Sequence, residues 1–381
     1  MESSSKMMTE VPKIRLGNYI EVCNARNSDL KYGIDMIEGV NSKGEFCSPK
    51  AAVDGINLLP YKIVDNGDFV YPPSRLNIGS LALRTTGRCI VSHLYVVFHL
   101  TKEGKKHFLP EFLWLYFSRE SFRDLVTFRN FGSQRPEFNF YQMCEIQVPL
   151  PDIEVQRDLV AIYGGLQKIV AENEALISQL ESVCHDFVVD CKSKYPKVKL
   201  GDHIEECDER NSDGALTLDD VRGISIEKKF IFTKADMAGV SLTPYKVVKK
   251  GWFCYVPVTS RNGEKISLAI YGDEAPAIVS ATYYVFRSRN EEILHPEYLY
   301  LLFKRPEFNR YARFNSWGSA RETFDLSEMR RVEIPLPPID IQRSIAAVAR
   351  CLSEAKRIVA DARELMKNLC PALIQKAAHS V

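Results

Sequence analysis

The same series of segments occurs twice in this chain, in the same order, and that duplication limits the fold more than any other feature. "KIRLGNYIEVCNARNSD" (13–29) returns as "KVKLGDHIEECDERNSD" (197–213), and "LLPYKIVDNGDFVY" (58–71) as "LTPYKVVKKGWFCY" (242–255), both at a spacing of 184 residues. "CIVSHLYVVF" (89–98) answers "AIVSATYYVF" (277–286) at 188, and "LPEFLWLYFSRESF" (109–122) answers "HPEYLYLLFKRPEF" (295–308) at 186. "FGSQRPEF" (131–138) aligns with "WGSARETF" (317–324), and "VPLPDIEVQR" (148–157) with "IPLPPIDIQR" (334–343). An unbroken order with so little drift means two copies of one unit, and 381 residues are enough for both. The drift falls at 72–89 against 256–277 and again just before the Pro-Glu segments, which marks those places as loops with insertions.

Each copy reads as two parts. The first is a globular stretch of short strands and turns with one clear helix. Residues 63–71 and 247–255 hold a turn before a short apolar strand, and 90–100 and 278–287 are strand-like runs of Val, Tyr and Phe. Pro110 and Pro296 stand where a first helical turn tolerates proline. Each copy closes on a short strand, 145–149 and 332–335. The second part is a long helix. Leu159, Ile162, Leu166, Ile169, Asn173, Leu176, Leu180, Val183 and Phe187 step alternately by three and four, with one polar break at Asn173. The equivalent places in the second copy, Ile345, Val348, Leu352, Ala355, Val359, Ala362, Met366, Leu369 and Leu373, are all apolar. A helix over 152–190 would be about 57 Å long at 1.5 Å per residue. A stripe of that length is hidden best by another long helix. The expectation is therefore an α+β fold: two similar globular domains, each followed by a long helix, the two helices forming an antiparallel intramolecular coiled coil. Asn173 would fix its register. The prolines of "VPLPDIE" and "IPLPPID" stiffen the approach to each helix. Two similar heads rigidly mounted on a paired-helix spacer suit a target with two sites at a fixed distance, such as a duplex or another polymer.

The chemistry of most enzyme classes is missing. There is no GxGxxG after a strand, no GxxxxGK[ST], no GxSxG and no HExxH. Asp152 and Glu154 read as first-turn residues of a helix rather than a nuclease pair, because the second copy has "PPIDIQ" there. His93 aligns with Ala281, which excludes a duplicated histidine base. The ten cysteines form no CxxC pair and no Cys/His cluster at zinc spacing, and Cys184, His185 and Cys191 read as ordinary helix residues. No metal and no cofactor is expected. The start, MESSSKMMTE, lacks the apolar core of a secretory signal, and no apolar run spans a bilayer, so the expected location is the cytoplasm, with reduced thiols and no membrane partner. Net charge is only +1, which is no global mark of a nucleic-acid binder. Locally, residues 66–135 carry ten Lys/Arg against five Asp/Glu, and 250–322 carry ten against eight.

The repeated "PLPxIxxQR" junctions at 149–157 and 335–343, the long helix after each, and the "KLG"-type openings at 15–17 (Arg-Leu-Gly) and 199–201 (Lys-Leu-Gly) make the chain resemble the specificity subunit of a type I DNA restriction-modification system. The resemblance covers roughly 11–378. It implies target recognition domains at 11–150 and 196–336 and conserved coiled-coil helices at 151–193 and 337–378. It also implies that each domain reads half of a split site in double-stranded DNA. The helices would set the half-site distance and dock modification (methyltransferase) subunits, in a complex with restriction subunits that cut DNA using ATP. The chain itself would be non-catalytic. The family pattern departs at the start, where the first recognition domain opens with no helix before it.

Family motifs do not give DNA contacts residue by residue, so these come from chemistry. In "RNFGSQR" (129–135) and "RFNSWGSAR" (313–321), a Gly-Ser turn could offer N–H groups and a hydroxyl to phosphate beside arginines: Arg129, Ser133, Gln134 and Arg135 in one copy, Arg313, Ser319 and Arg321 in the other. The divergent loops 71–80 and 255–267 add Arg75, Asn77, Arg261, Asn262 and Lys265 as base or phosphate readers. Arg26 and Arg210, in the shared "RNSD", equally suit a structural ion pair with Asp29 or Asp213. Gln156–Arg157 and Gln342–Arg343 read as braces between domain and helix, or as a face toward the modification subunit. The competing function is a bivalent coiled-coil adaptor that does not bind DNA.

Overall fold

A computed structural model describes residues 12–49, 55–130, 137–233, 235–259, 265–319 and 321–377, with side chains of the last helix described through residue 367. The chain divides into two compact units, Met1–Glu172 with Ile358–Val381, and Asn173–Arg357.

In the first unit, β1 (Lys13–Arg15) pairs antiparallel with β10 (Gln147–Pro149), so the first and last strands of the domain close on each other. Between them lie β2 (Ile20–Val22), the hairpin β3 (Gly39–Val40) and β4 (Phe46–Cys47), β5 (Lys62–Val64), β6 (Phe69–Tyr71), β7 (Ala82–Leu83), β8 (Cys89–Val91) and β9 (Val96–Leu100). The central sheet has the order β2-β9-β6-β7, and β5 pairs with β8 beside it. Helices α1 (Gly104–His107), α2 (Pro110–Phe117), α3 (Glu120–Arg129) and α4 (Phe140–Cys144) follow β9, before the long helix α5 (Ile153–Lys194).

The second unit repeats this plan. β11 (Lys197–Lys199) closes on β20 (Glu333–Pro335). Inside come β12 (Ile204–Glu206), the hairpin β13 (Arg222–Ile224) and β14 (Phe230–Phe232), β15 (Lys246–Val248), β16 (Phe253–Tyr255), β17 (Leu268–Ile270), β18 (Ala277–Val279) and β19 (Tyr284–Ser288). The sheet order is β12-β19-β16-β17, with β15 on β18. Helices α6 (Pro296–Phe303), α7 (Pro306–Phe314) and α8 (Leu326–Arg331) lead to the long α9 (Ile339–Ala377). The extra helix α1 sits where the repeat spacing drops from 188 to 186.

The central strands β6 and β16 are buried on both faces, and strand alternation divides the sheet residues between two cores. Phe69, Tyr71 and Phe98 pack toward the helices, while Val70, Ala82 and Val97 pack with Val64, Cys89 and Val91. In the second domain Phe253, Tyr255 and Phe286 take the helix side, and Cys254, Ala269 and Val285 the other. Phe69 stacks on Phe98 at 5.0 Å with Phe117 edge-on at 5.9 Å; Phe253, Phe286 and Phe303 reproduce the trio at 5.1 and 5.7 Å. Each such ring contributes about 1.5–3 kcal/mol by burial.

The single helix expected after each Pro-Glu is two helices. Pro306 opens α7 and cannot continue α6. In the first copy Arg119 is extended (φ −69°, ψ 147°), its Nε donates to Tyr116 O at 3.0 Å, and its guanidinium covers the Tyr116 ring at 3.9 Å, which satisfies the end of α2.

The junction glutamines are fully buried. Gln156 Oε1 accepts from Leu109 N at 2.9 Å, and its Nε2 donates to His107 O at 2.8 Å and Pro151 O at 2.9 Å. Gln342 does the same with His295 N (2.9 Å), Ile293 O (2.8 Å) and Pro337 O (2.8 Å). One side chain thus joins the strand-to-helix connection, the junction and the long helix in each copy. The neighbouring arginines stay at the surface, Arg157 paired with Glu154 and Arg343 with Glu292.

The long helices run antiparallel. In the second unit the C-terminal half of α5 lies along the N-terminal half of α9: Cys184, Phe187 and Val188 share one apolar cluster with Ile345, Val348 and Leu352, and Lys356 pairs with Glu181 at 2.6 Å. The first unit holds the complementary halves. On α9, Ile345, Val348, Leu352, Ala355, Val359, Ala362 and Met366 are all buried or half-buried, while Leu369 and Leu373 lie outside the described side chains. The α5 stripe needs correction. Leu159, Leu166, Asn173, Leu180 and Phe187 turn inward, but Ile162, Ile169, Leu176 and Val183 are 40–50% exposed. Tyr163, Val170, Ile177 and Cys184, one residue further on, take the inward places. Two adjacent stripes of α5 are apolar, and contacts such as Tyr163 edge-on against Trp114 at 5.7 Å decide which one is covered. Among the described residues, no helix is long and apolar enough to cross a membrane.

Candidate nucleic-acid interface

In each domain the same hydrogen bond ties the divergent loop to the segment after the Gly-Ser turn. Phe138 N donates to Pro73 O at 3.0 Å, and Phe324 N donates to Pro257 O at 2.8 Å. In both domains a residue just past the Gly-Ser segment therefore lies against the divergent loop, although some 65 residues separate the two in sequence.

In the second domain the turn is well defined. Trp317 and Thr323 exchange backbone hydrogen bonds at 3.1 and 2.9 Å, and Thr259 N reaches Glu322 O at 3.0 Å. Gly318 sits at φ +141°, and a Cβ there would lie 2.2 Å from Arg321 O, so only glycine fits this fold-back. Ser319 and Arg321 are exposed at its tip. Arg313, at the end of α7, is ion-paired with Glu322. Lys265 is exposed on the neighbouring loop, whereas Arg261 and Asn262 lie outside the described residues. The charge of Lys265 adds to burial, the larger cause, in pulling the amine of Lys228 down to about 7, and Lys304 adds to it as well. Lys228 donates to Phe303 O beneath this surface.

In the first domain the divergent loop is a 3-10 helix, Pro73–Ile78, stopped by Gly79 at φ +91°. Arg75 is exposed on it and Asn77 half-buried. Arg129 is exposed at the end of α3. Ser133, Gln134 and Arg135 lie outside the described residues. Arg123, on α3, reaches the 3-10 helix, with its Cδ 3.5 Å from where a Gly79 Cβ would stand. Neither Arg75, Arg123 nor Arg129 has an ion-pair partner among the described residues.

Of the two alternatives for the "RNSD" arginines, the contacts are structural, but with partners other than Asp29 and Asp213. Arg26 donates to Pro60 O at 3.0 Å and Arg210 to Pro244 O at 2.8 Å, with Asp208 rather than Asp213 as the latter's ion partner at 2.6 Å. Buried Asn27 brackets Tyr32 through both its amide atoms, and Asn211 brackets Leu216 in the same way. A neutral side chain with a donor and an acceptor can organise a buried loop at no desolvation cost of charge.

The comparisons with known proteins bear on what this surface is for. A family profile described as "Type I restriction modification DNA specificity domain" matches residues 10–182 and 245–354, well over half of the chain. The chain belongs to that family. It is the DNA-specificity component of a type I restriction-modification system, a recognition subunit and not a catalytic one. The type I specificity subunit of M. genitalium is similar in fold at a TM-score of 0.62 and 10% identity, over 99% of this chain and 98% of that one. The HsdS subunit of Thermoanaerobacter tengcongensis aligns over 99% and 98% at 17% identity and a TM-score of 0.44. No curated protein matches by sequence.

Two features of the specificity subunit's surface escaped the sequence reading. Arg123 is one; its counterpart in the repeat is Asn309. The other is an exposed phenylalanine at equivalent places, Phe128 (80% exposed) and Phe314 (78%), each ending a helix beside the Gly-Ser segment. The signal was available, since an aromatic residue retained in both copies on a mostly polar helix face has no core to fill.

Proposed function

We propose that each recognition domain reads one half of a two-part DNA site through the surface formed by its divergent loop, its Gly-Ser segment and the end of α3 or α7. The domains of this reading span 11–150 and 196–336, with the helices 151–193 and 337–378 as spacer. Arg75, Arg129, Arg135, Lys265, Arg313 and Arg321 would meet phosphate or base edges, and Asn77, Ser133, Gln134, Arg261, Asn262 and Ser319 would complete the contacts. Phe128 and Phe314 would lie against sugar or base. The single observation behind this assignment is the repeated hydrogen bond that joins the two loop segments in both domains, to Pro73 and to Pro257. It holds sequence-divergent side chains on a constant frame, which is what two readers of different half-sites require.

The helices would carry the modification subunits, and restriction subunits would join that assembly. Val155, Ile162, Ile169, Leu176 and Val183 recur every seven residues along α5 and are 37–50% exposed, a line of apolar side chains suited to another helix. All cysteines among the described residues are free thiols, in keeping with a cytoplasmic site of action. A coiled-coil adaptor that ignores DNA does not account for the family membership.

Sequencing of methylated adenines in the native host, with and without this gene, tests the proposal. Loss of methylation at a two-part motif is the expected result; unchanged methylation while the modification subunit is present and active would overturn it.

A further inference from the structure

Three side chains far apart in sequence meet beside the central sheet of the first domain. Cys23 follows β2, Asp68 lies in the turn before β6, and His99 is on β9. Cys23 Sγ is 2.8 Å from His99 Nδ1 and 3.6 Å from Asp68 Oδ1, and His99 Nδ1 is 3.1 Å from the same oxygen. All three donor atoms lie within 4.8 Å of one another. We propose that Cys23, Asp68 and His99 form a binding site for a zinc-type divalent metal ion, present in the first recognition domain and not in the second.

The spacing fits such an ion. Zinc held by thiolate at about 2.3 Å and by imidazole and carboxylate at about 2.0 Å places tetrahedral donors about 3.3–3.5 Å apart. Two of the three separations are already close to this, and the sulfur–nitrogen pair has to open by about 0.7 Å. The outer contacts fit as well. His99 Nε2 faces Glu21 Oε1 at 3.2 Å, the carboxylate partner that orients a ligating imidazole. Asp65 N donates to Asp68 Oδ2 at 2.8 Å, which holds the carboxylate with Oδ1 toward the cluster. The Asp68 side chain is nearly buried while that of His99 is partly exposed, so three protein ligands leave one side for water. Without a metal, burial first and the nearby Asp68 second keep the Cys23 thiol protonated, its pKa pushed up to about 12. Binding would release that proton.

The second domain is an internal control. Cys207 occupies the place of Cys23, but Trp252 and Arg287 replace Asp68 and His99. Arg287 pairs with Glu205 and lies over the Trp252 ring at 5.7 Å. A guanidinium cannot ligate a metal, so the second domain joins the same strands by an ion pair and a cation–π contact. The sequence shows no local metal motif because the three ligands are 45, 31 and 76 residues apart in pairs.

Cobalt(II) titration of the reduced, metal-free full-length chain tests this through the thiolate-to-cobalt charge-transfer absorption. One equivalent is expected to titrate and to be displaced by zinc. Cys23→Ser should abolish the band and His99→Gln should weaken binding at least tenfold. Glu21→Gln should cost about 10–100-fold, and Cys207→Ser should change nothing. Far-UV circular dichroism checks that each variant is folded, and His99→Gln carries the test should Cys23→Ser unfold. Absence of a thiolate band, or a band that survives in folded Cys23→Ser or folded His99→Gln at full strength, would overturn the site.

Discussion

The two recognition domains repeat the same strand order and the same bracing contacts, and differ in how their surface charge is committed. Strand order, the phenylalanine trios, the bracketing asparagines and the buried glutamines are the same in both. Over that frame, the first domain presents Arg75, Arg123 and Arg129 without acidic partners among the described residues, while the second ties Arg313 to Glu322. The hairpin turn beneath also differs: Gly44, at φ +75°, corresponds to Lys228, at φ +61°. The shared backbone conformation favours glycine, so the lysine in the second copy is held against strain by its hydrogen bond to Phe303 O and by Tyr300, whose hydroxyl donates to its carbonyl. Duplication preserved what positions the surface and released what the surface carries.

The strongest way to break the shared-frame half of this comparison is to remove the junction glutamines one at a time. Gln156→Leu and Gln342→Leu each strand three buried backbone groups, so each should destabilise its own unit by about 3–5 kcal/mol. Denaturant unfolding followed by hydrogen exchange should show similar losses in the two units. A large loss for one and none for the other would mean that the frames are not equivalent.

Lys228 sharpens the difference. Its amine titrates near 7 when folded and at 10.5 in the unfolded chain. The unfolded chain therefore binds more protons between those values, and the second unit should gain stability as pH rises from about 7 to about 10.5. A shift of that size corresponds to a gain on the order of 5 kcal/mol. Lys228→Met should remove this slope, as read from unfolding midpoints across that range; a slope that persists in the variant would assign it to another group.

For DNA binding, Phe128→Ala and Phe314→Ala should each weaken cognate affinity by about 1.5–3 kcal/mol, the burial of the ring against sugar and base edge. Equal, undiminished affinity in both variants would remove the rings from the interface. The smallest effect separates the charges. The double variant Arg75→Ala/Arg129→Ala should lower the slope of log affinity against log salt by about 1.8, and Arg313→Ala by less than about 0.9, because Glu322 already offsets it. Equal slopes per arginine would contradict the unequal commitment of charge.

Much of this architecture was legible in the sequence because duplication supplies its own alignment. The closing strands, the two long helices and the bracing role of Gln156 and Gln342 followed from matched segments. The covered stripe of α5 did not. Ile162 and Tyr163, Ile169 and Val170, Leu176 and Ile177 are neighbouring apolar pairs, and periodicity cannot choose between adjacent stripes when both are apolar. On α9 the same periodicity held from Ile345 to Met366, because Lys356 and Arg363 leave only one stripe to cover there. The arginines of "RNSD" suggested ion pairs, while the buried work is done by the neighbouring asparagine. Arg123 and the Cys23–Asp68–His99 cluster depend on long-range approach that no local spacing records.

Selection of bound sequences from a random DNA pool, with the modification subunits present, tests the central claim most directly. The account predicts two conserved blocks separated by a gap of fixed length and free sequence, and predicts that Arg123→Asn, which installs the residue found at Asn309, alters one block and leaves the other unchanged. A single continuous block, or a change in both blocks, would contradict two independent readers on one frame.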